Sequence, residues 1–124
     1  MNYFENPIQF LEEKQIGEYK IEYFHLMEIC QGGPEVGNLA INNNQMKGRY
    51  GGPFVFKEND IYIPAYFNSL FKSGFKLAKI NLVSLKVEYL SNIKPLIFLD
   101  KIVENRIYFF KDIDKNNMEY CDIF

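Results

Sequence analysis

Residues 53–63 read Pro53-Phe54-Val55-Phe56-Lys57-Glu58-Asn59-Asp60-Ile61-Tyr62-Ile63. Two aromatic and β-branched runs flank the polar triplet Glu58-Asn59-Asp60. Rings and branched side chains suit a pleated surface, and short polar residues suit a tight turn, so the stretch predicts a β-hairpin. Pro64 follows the second run and predicts an edge or a bulge there, because proline has no N–H to give to a ladder.

The pattern continues toward the C-terminus. Asn68 to Gly74 reads as a loop with Leu70 and Phe71 as possible anchors. Phe75, Leu77 and Lys79 then alternate with Lys76, Ala78 and Ile80, and a turn at Asn81 to Ser84 leads into a strand from Leu85 to Leu90. Pro95 to Leu99, Ile107 to Phe110 and Met118 to Phe124 predict three more strands. Glu104-Asn105 and the polar run Asp112 to Asn117 separate them.

Toward the N-terminus, Gly48, Gly51, Gly52 and Pro53 predict a bend. It is no phosphate loop by sequence, since no Gly-Lys-Ser/Thr follows and strands rather than a helix come next. Asn38 to Met46 reads as a hairpin around Asn42-Asn43-Asn44, residues that tolerate a left-handed backbone. Gln31-Gly32-Gly33-Pro34 is a turn. In the strand from Tyr19 to Cys30, Ile21, Tyr23, His25, Met27 and Ile29 share one face, opposite Lys20, Glu22, Phe24, Leu26, Glu28 and Cys30. Asn6-Pro7 is a helix-start signal, and Ile8, Leu11 and Gln15/Ile16 fall at helical spacing before Gly17. This predicts a short helix over 7–15.

A weak repeat runs through the strands. Pro53-Phe54-Val55-Phe56 resembles Pro95-Leu96-Ile97-Phe98, and Asn59-Asp60-Ile61-Tyr62-Ile63 resembles Asn105-Arg106-Ile107-Tyr108-Phe109. Antiparallel meanders recurring about every 40 residues mark propeller blades, but a closed propeller needs about four of them. The predicted fold class is therefore mainly β, antiparallel meanders in a single domain over 1–124, with a short N-terminal helix. An open half β-propeller fits the pattern, and so does a generic β-sandwich or α+β sheet.

Composition bounds the chemistry. The chain has 124 residues, 48% of them hydrophobic, enough for one core. Met1 to Phe10 lacks the basic start and apolar run of a signal peptide, and no window approaches the roughly 18 apolar residues of a membrane span. Two cysteines, Cys30 and Cys121, form no disulfide framework, so a cytoplasmic location is expected. The single histidine, His25, stands between Phe24 and Leu26 rather than beside a nucleophile. With Cys30 and Cys121 it has no zinc-ligand spacing, and no metal or cofactor is expected. The carboxylate pairs Glu12-Glu13, Glu58/Asp60 and Asp112/Asp114 lie in segments read as solvated, without the shared cleft that acid–base catalysis needs. No catalytic residue and no enzyme activity are expected.

Two binding functions survive. Lys47, Arg49, Lys57, Lys72, Lys76 and Lys79 interleave with Tyr50, Phe56, Tyr62, Tyr66, Phe67 and Phe75, which would suit a single nucleic-acid strand. The pI of about 5.4 opposes that. The other possibility starts from charge. Residues 1–35 hold seven glutamates and two lysines, a balance of −5, while residues 36–99 hold eight cations and three acids, a balance of +5. An acidic first third can capture a basic partner.

With a short helix, a β-rich body and an acidic start, the layout resembles a bacterial toxin-neutralising immunity protein. The Gly51-Gly52-Pro53-Phe54-Val55-Phe56 bend and the strand Phe75 to Leu82 resemble blade segments of the partial-propeller immunity proteins of contact-dependent growth inhibition. That resemblance implies a cytoplasmic inhibitor that covers the active site of a cognate nuclease toxin of the EndoU-like kind, as a 1:1 complex without a membrane. On that reading Glu12, Glu13, Glu18, Glu22, Glu28 and Glu35 are the candidate charges. Tyr19, Tyr23, Tyr66, Phe67 and Phe71 are the candidate anchors, because aromatic rings dominate binding hot spots.

Overall fold

Alternating apolar side chains are buried only when the strands that carry them pair and stack. In the computed structural model, which describes residues 5–123, they do so as antiparallel strands. In chain order these are β1 (Glu13–Ile16), β2 (Tyr19–Glu28), β3 (Glu35–Ile41), β4 (Asn44–Gln45), β5 (Arg49–Tyr50) and β6 (Val55–Lys57). There follow β7 (Asp60–Asn68), β8 (Ser73–Asn81), β9 (Val87–Tyr89), β10 (Phe98–Val103), β11 (Arg106–Phe110) and β12 (Met118–Asp122). One sheet runs β1-β2-β3-β5-β7-β8-β9, with β4 on β3 and β6 on β7, and a smaller sheet runs β10-β11-β12. The predicted end of the last strand at Phe124 lies outside the described residues.

The β7–β8 hairpin is the centre. It is in register over nine pairs, from Asp60↔Asn81 to Asn68↔Ser73. Because side chains alternate, Ile61, Ile63, Ala78 and Ile80 enter one core, with Ile21, Leu39, Tyr50 and Phe54. Tyr62, Phe75 and Leu77 enter a second core on the opposite face, against Ile97, Ile107 and Phe109 of the C-terminal segment. Lys94 helps join the sheets: its backbone exchanges hydrogen bonds with Phe75 (2.8 and 2.7 Å), and its ammonium group reaches Glu119 of β12 at 2.7 Å.

The turns follow local chemistry. Asn42 and Asn43 both hold positive φ, 49° and 66°, the mirror-image turn whose twist matches its strands. Gly17, at φ 58°, leads the two-residue loop closed by the Ile16↔Tyr19 pair.

Three expectations change. First, no helix forms over 7–15. Asn6 does cap, its Oδ1 accepting from the Ile8 and Gln9 N–H groups (2.8 and 3.0 Å). The turn then closes at once through the Asn6–Gln9 backbone pair, and the chain enters β1. A helix this short has little stability of its own, whereas β1 gains a ladder with β2. Phe10, absent from the helical stripe, becomes buried, with its ring 4.8 Å from that of Tyr23.

Second, Pro64 lies inside the central strand, opposite Leu77, not at an edge. Its carbonyl accepts from Gly51 N–H (2.8 Å), so the missing N–H faces the same side, at the break between β5 and β6. Third, the repeat appears as two three-stranded antiparallel meanders, β6-β7-β8 and β10-β11-β12, and no propeller forms among the described residues. The first is continuous with the rest of the nine-stranded sheet.

Candidate functional site

β1, β2 and β3 carry all the acidic candidates except Glu12 and Glu18, which flank β1 and its turn. Registers place Glu13 opposite Glu22 and Glu28 opposite Glu35. Like charges directly opposite one another destabilise a ladder. Glu22 is partly compensated by Lys20 at 3.4 Å, and Glu28 accepts a hydrogen bond from Gly32 N–H at 3.1 Å. Glu12, Glu13 and Glu18 are exposed and form no ion pair among the described residues.

The two acidic pairs do not share a face. Between Phe24↔Asn38 and Met27↔Val36 the strand β2 carries one extra residue, and His25 there takes a positive φ of 54°. A bulge of one residue reverses the side on which every later side chain emerges. Glu22 and Glu28, which simple alternation puts together, therefore emerge on opposite faces. At the bulge, Gly37 is forced to be small: a Cβ there would lie 2.6 Å from the Phe24 carbonyl oxygen.

The aromatic candidates divide. Tyr23 is a core residue, 6% exposed, and its hydroxyl donates to the Gly51 carbonyl at 2.7 Å. Burial, and then the charge of Glu5, holds its pKa well above the ordinary tyrosine value. Tyr19 and Tyr66 are half-buried against the first and second cores. Phe67 is half-buried beside Tyr89, with centroids 5.3 Å apart, and Lys76 lies over both rings at 5.0 and 5.7 Å. Phe71 is open to solvent at 97%, as is its neighbour Leu70 at 98%.

The Nδ1 of His25 lies 3.4 Å from Asn38 Oδ1. Cys30 and Cys121 are free thiols, and burial followed by the charge of Glu119 raises the pKa of Cys121. Among the described residues, no three His, Cys, Asp or Glu side chains gather for a metal ion, and no helix is long and apolar enough to cross a membrane.

Two features escaped sequence reasoning. A cavity of about 590 Å³ opens between β1 and β6, walled by Leu11, Ile16, Phe54, Val55 and Phe56 with Glu13 and Lys14. On β11 and β12, Tyr108 and Tyr120 stand opposite each other, 5.8 Å apart, with the Arg106 guanidinium 4.2 Å from the Tyr120 ring. Alternation hints at the tyrosine pair. Nothing in the sequence indicates that β1 and β6, far apart in the chain, border one cavity. No protein-family model, curated protein or solved structure matches this chain.

Proposed function

We propose that this chain is an immunity-type inhibitor. It binds a cognate nuclease toxin, of the EndoU-like kind used in contact-dependent growth inhibition, one to one in the cytoplasm, and acts by covering the toxin's cleft rather than by turnover. One observation carries the reading: Glu13 faces Glu22 across β1–β2, with Glu12 exposed beside the pair and Glu18 exposed in the turn at the other end of the ladder. Like charge that Lys20 relieves only in part is a local cost that a cationic partner removes, and RNA-cleaving clefts are cationic. The Glu28–Glu35 pair, emerging on the other face, is a separate element of the interface. Phe71 supplies the exposed anchor, while Tyr23 acts only through the core. The same reading takes the two meanders as incomplete blades of a half-propeller, supported by their equal strand number.

The test is co-expression with the toxin domain encoded immediately upstream. Cells carrying the chain survive, and cells carrying Glu13→Lys with Glu22→Lys die although the variant protein accumulates. Death despite the unaltered chain would overturn the proposal.

The Lys76–Phe67–Tyr89 cluster favours a second reading, in which a single nucleic-acid strand stacks on these rings. It predicts retention of an oligouridine on a filter, weakening with salt. No retention at low salt dismisses it.

A further inference from the structure

The 69–72 turn that joins β7 to β8 is held closed by its own side chains. Ser69 N–H and Oγ both donate to the Lys72 carbonyl (3.2 and 2.6 Å), Lys72 N–H donates to Ser69 Oγ (3.1 Å), and Ser73 Oγ donates to Asn68 Oδ1 (2.6 Å). Leu70 and Phe71, 98% and 97% exposed, are thus presented on a pre-shaped tip, which loses little freedom on docking. Lys72 beside them makes no ion pair among the described residues. No acid occurs anywhere in residues 61–87, which contain Lys72, Lys76, Lys79 and Lys86.

The cavity between β1 and β6 is the complement of that tip. Its volume, about 590 Å³, lies in the range of pockets that enclose apolar groups. Its walls include Leu11 and Phe56, both exposed to solvent. The cation in its lining, Lys14, is already held by Glu5 and lies 5.0 Å from the Phe54 ring. That leaves Glu13 in the lining, and Glu12 next to it, without a counter-charge among the described residues. An apolar tip with an unmatched cation therefore faces an apolar socket with unmatched anions.

The two cannot meet within one molecule. β6 pairs with Asp60 to Tyr62 at the start of β7, and the tip begins after Asn68, six residues or about 20 Å along the strand. We propose that the Leu70-Phe71 tip of one copy inserts into the β1–β6 cavity of a second copy. The two surfaces differ, so the contact is head-to-tail and adds subunits until a ring closes. This association does not rest on the toxin reading, but it draws on the same Phe71 and Glu13, so a bound toxin and a second copy compete for them.

Sedimentation equilibrium of the full chain tests it. The average mass should rise above the 14.7 kDa of one chain with increasing concentration. Leu70→Ser with Phe71→Ser (tip lost) and Phe56→Asp (socket lost) should each raise the concentration needed at least tenfold, with unchanged thermal melts. Mixing the two defective proteins should restore one tip–socket contact and give a dimer but nothing larger. A monomer at all concentrations overturns the inference. So does association that survives loss of the tip, or a mixture that stays monomeric.

Discussion

The β7–β8 hairpin and the β1–β2–β3 ladder are built from similar numbers of paired residues under opposite rules. β7 and β8 pair without interruption and are packed on both faces. β2 is bulged, and the acidic pairs Glu13–Glu22 and Glu28–Glu35 oppose each other across its two ladders. Packing explains each residue in the middle of the first region. In the second it explains Ile21, Val36, Leu39 and Ile41 but not the facing glutamates, whose charges work against the pairing they sit in. A region that tolerates such repulsion is better suited to meeting something else than to holding the fold.

The difference between the two regions is largest in the core. Phe75, 2% exposed, packs in the second core against Tyr66 at 5.2 Å. Phe75→Ala should destabilise the protein by roughly 3–5 kcal/mol in urea unfolding. A loss under about 1 kcal/mol would show that β7–β8 is not the structural centre.

Tyr23→Phe comes next, because it leaves the buried Gly51 carbonyl without its donor, a loss of about 1–3 kcal/mol. Tyr23 also gives a pH signature. Its pKa is raised in the folded state, so the stabilisation is complete below the unfolded value of about 10 and disappears as pH rises through the folded value. Burial likewise pushes Tyr50 up to about 12. Thermal melts should fall steadily from pH 10 upward, and less steeply in Tyr23→Phe. Identical slopes would contradict the placement of Tyr23 in the core.

A smaller effect of opposite sign belongs to the acidic ladder. Glu13→Gln removes one of two facing charges and should raise stability by about 0.2–1 kcal/mol while weakening partner binding. A loss of stability would mean that the pair is compensated after all. Smallest is Phe71→Ser, at the tip of the same hairpin, beyond the Tyr66–Phe75 pair. With its side chain already in water, unfolding should change by no more than about 0.5 kcal/mol.

Much of this fold is legible in the residues. Asn42-Asn43 and Glu58-Asn59 announce their turns because left-handed backbone and small polar side chains leave a local mark, whereas Gly17 reads as a helix stop and instead leads the β1–β2 loop. Pro64 misleads because its tolerance depends on a gap between β5 and β6 that only the assembled sheet creates. Phe10 and the 7–15 segment mislead because a few residues at helical spacing cannot outweigh a ladder supplied by β2. The acidic candidates are visible as composition, but their division between two faces hangs on a single extra residue near His25. Alternation alone cannot reveal it. Leu70 and Phe71 read as anchors in a loop from Asn68 to Gly74, and the length of the β7–β8 pairing leaves both fully open to solvent.

The central claim is that the Glu13–Glu22 face of β1–β2 meets a cationic partner. Calorimetric titration of the chain with the proposed partner, an EndoU-like nuclease toxin domain, repeated at rising salt, tests it most directly. The account predicts a 1:1 complex that weakens as salt screens it and loses at least tenfold in affinity with Glu13→Lys and Glu22→Lys together. Binding that ignores both salt and these two substitutions would contradict it.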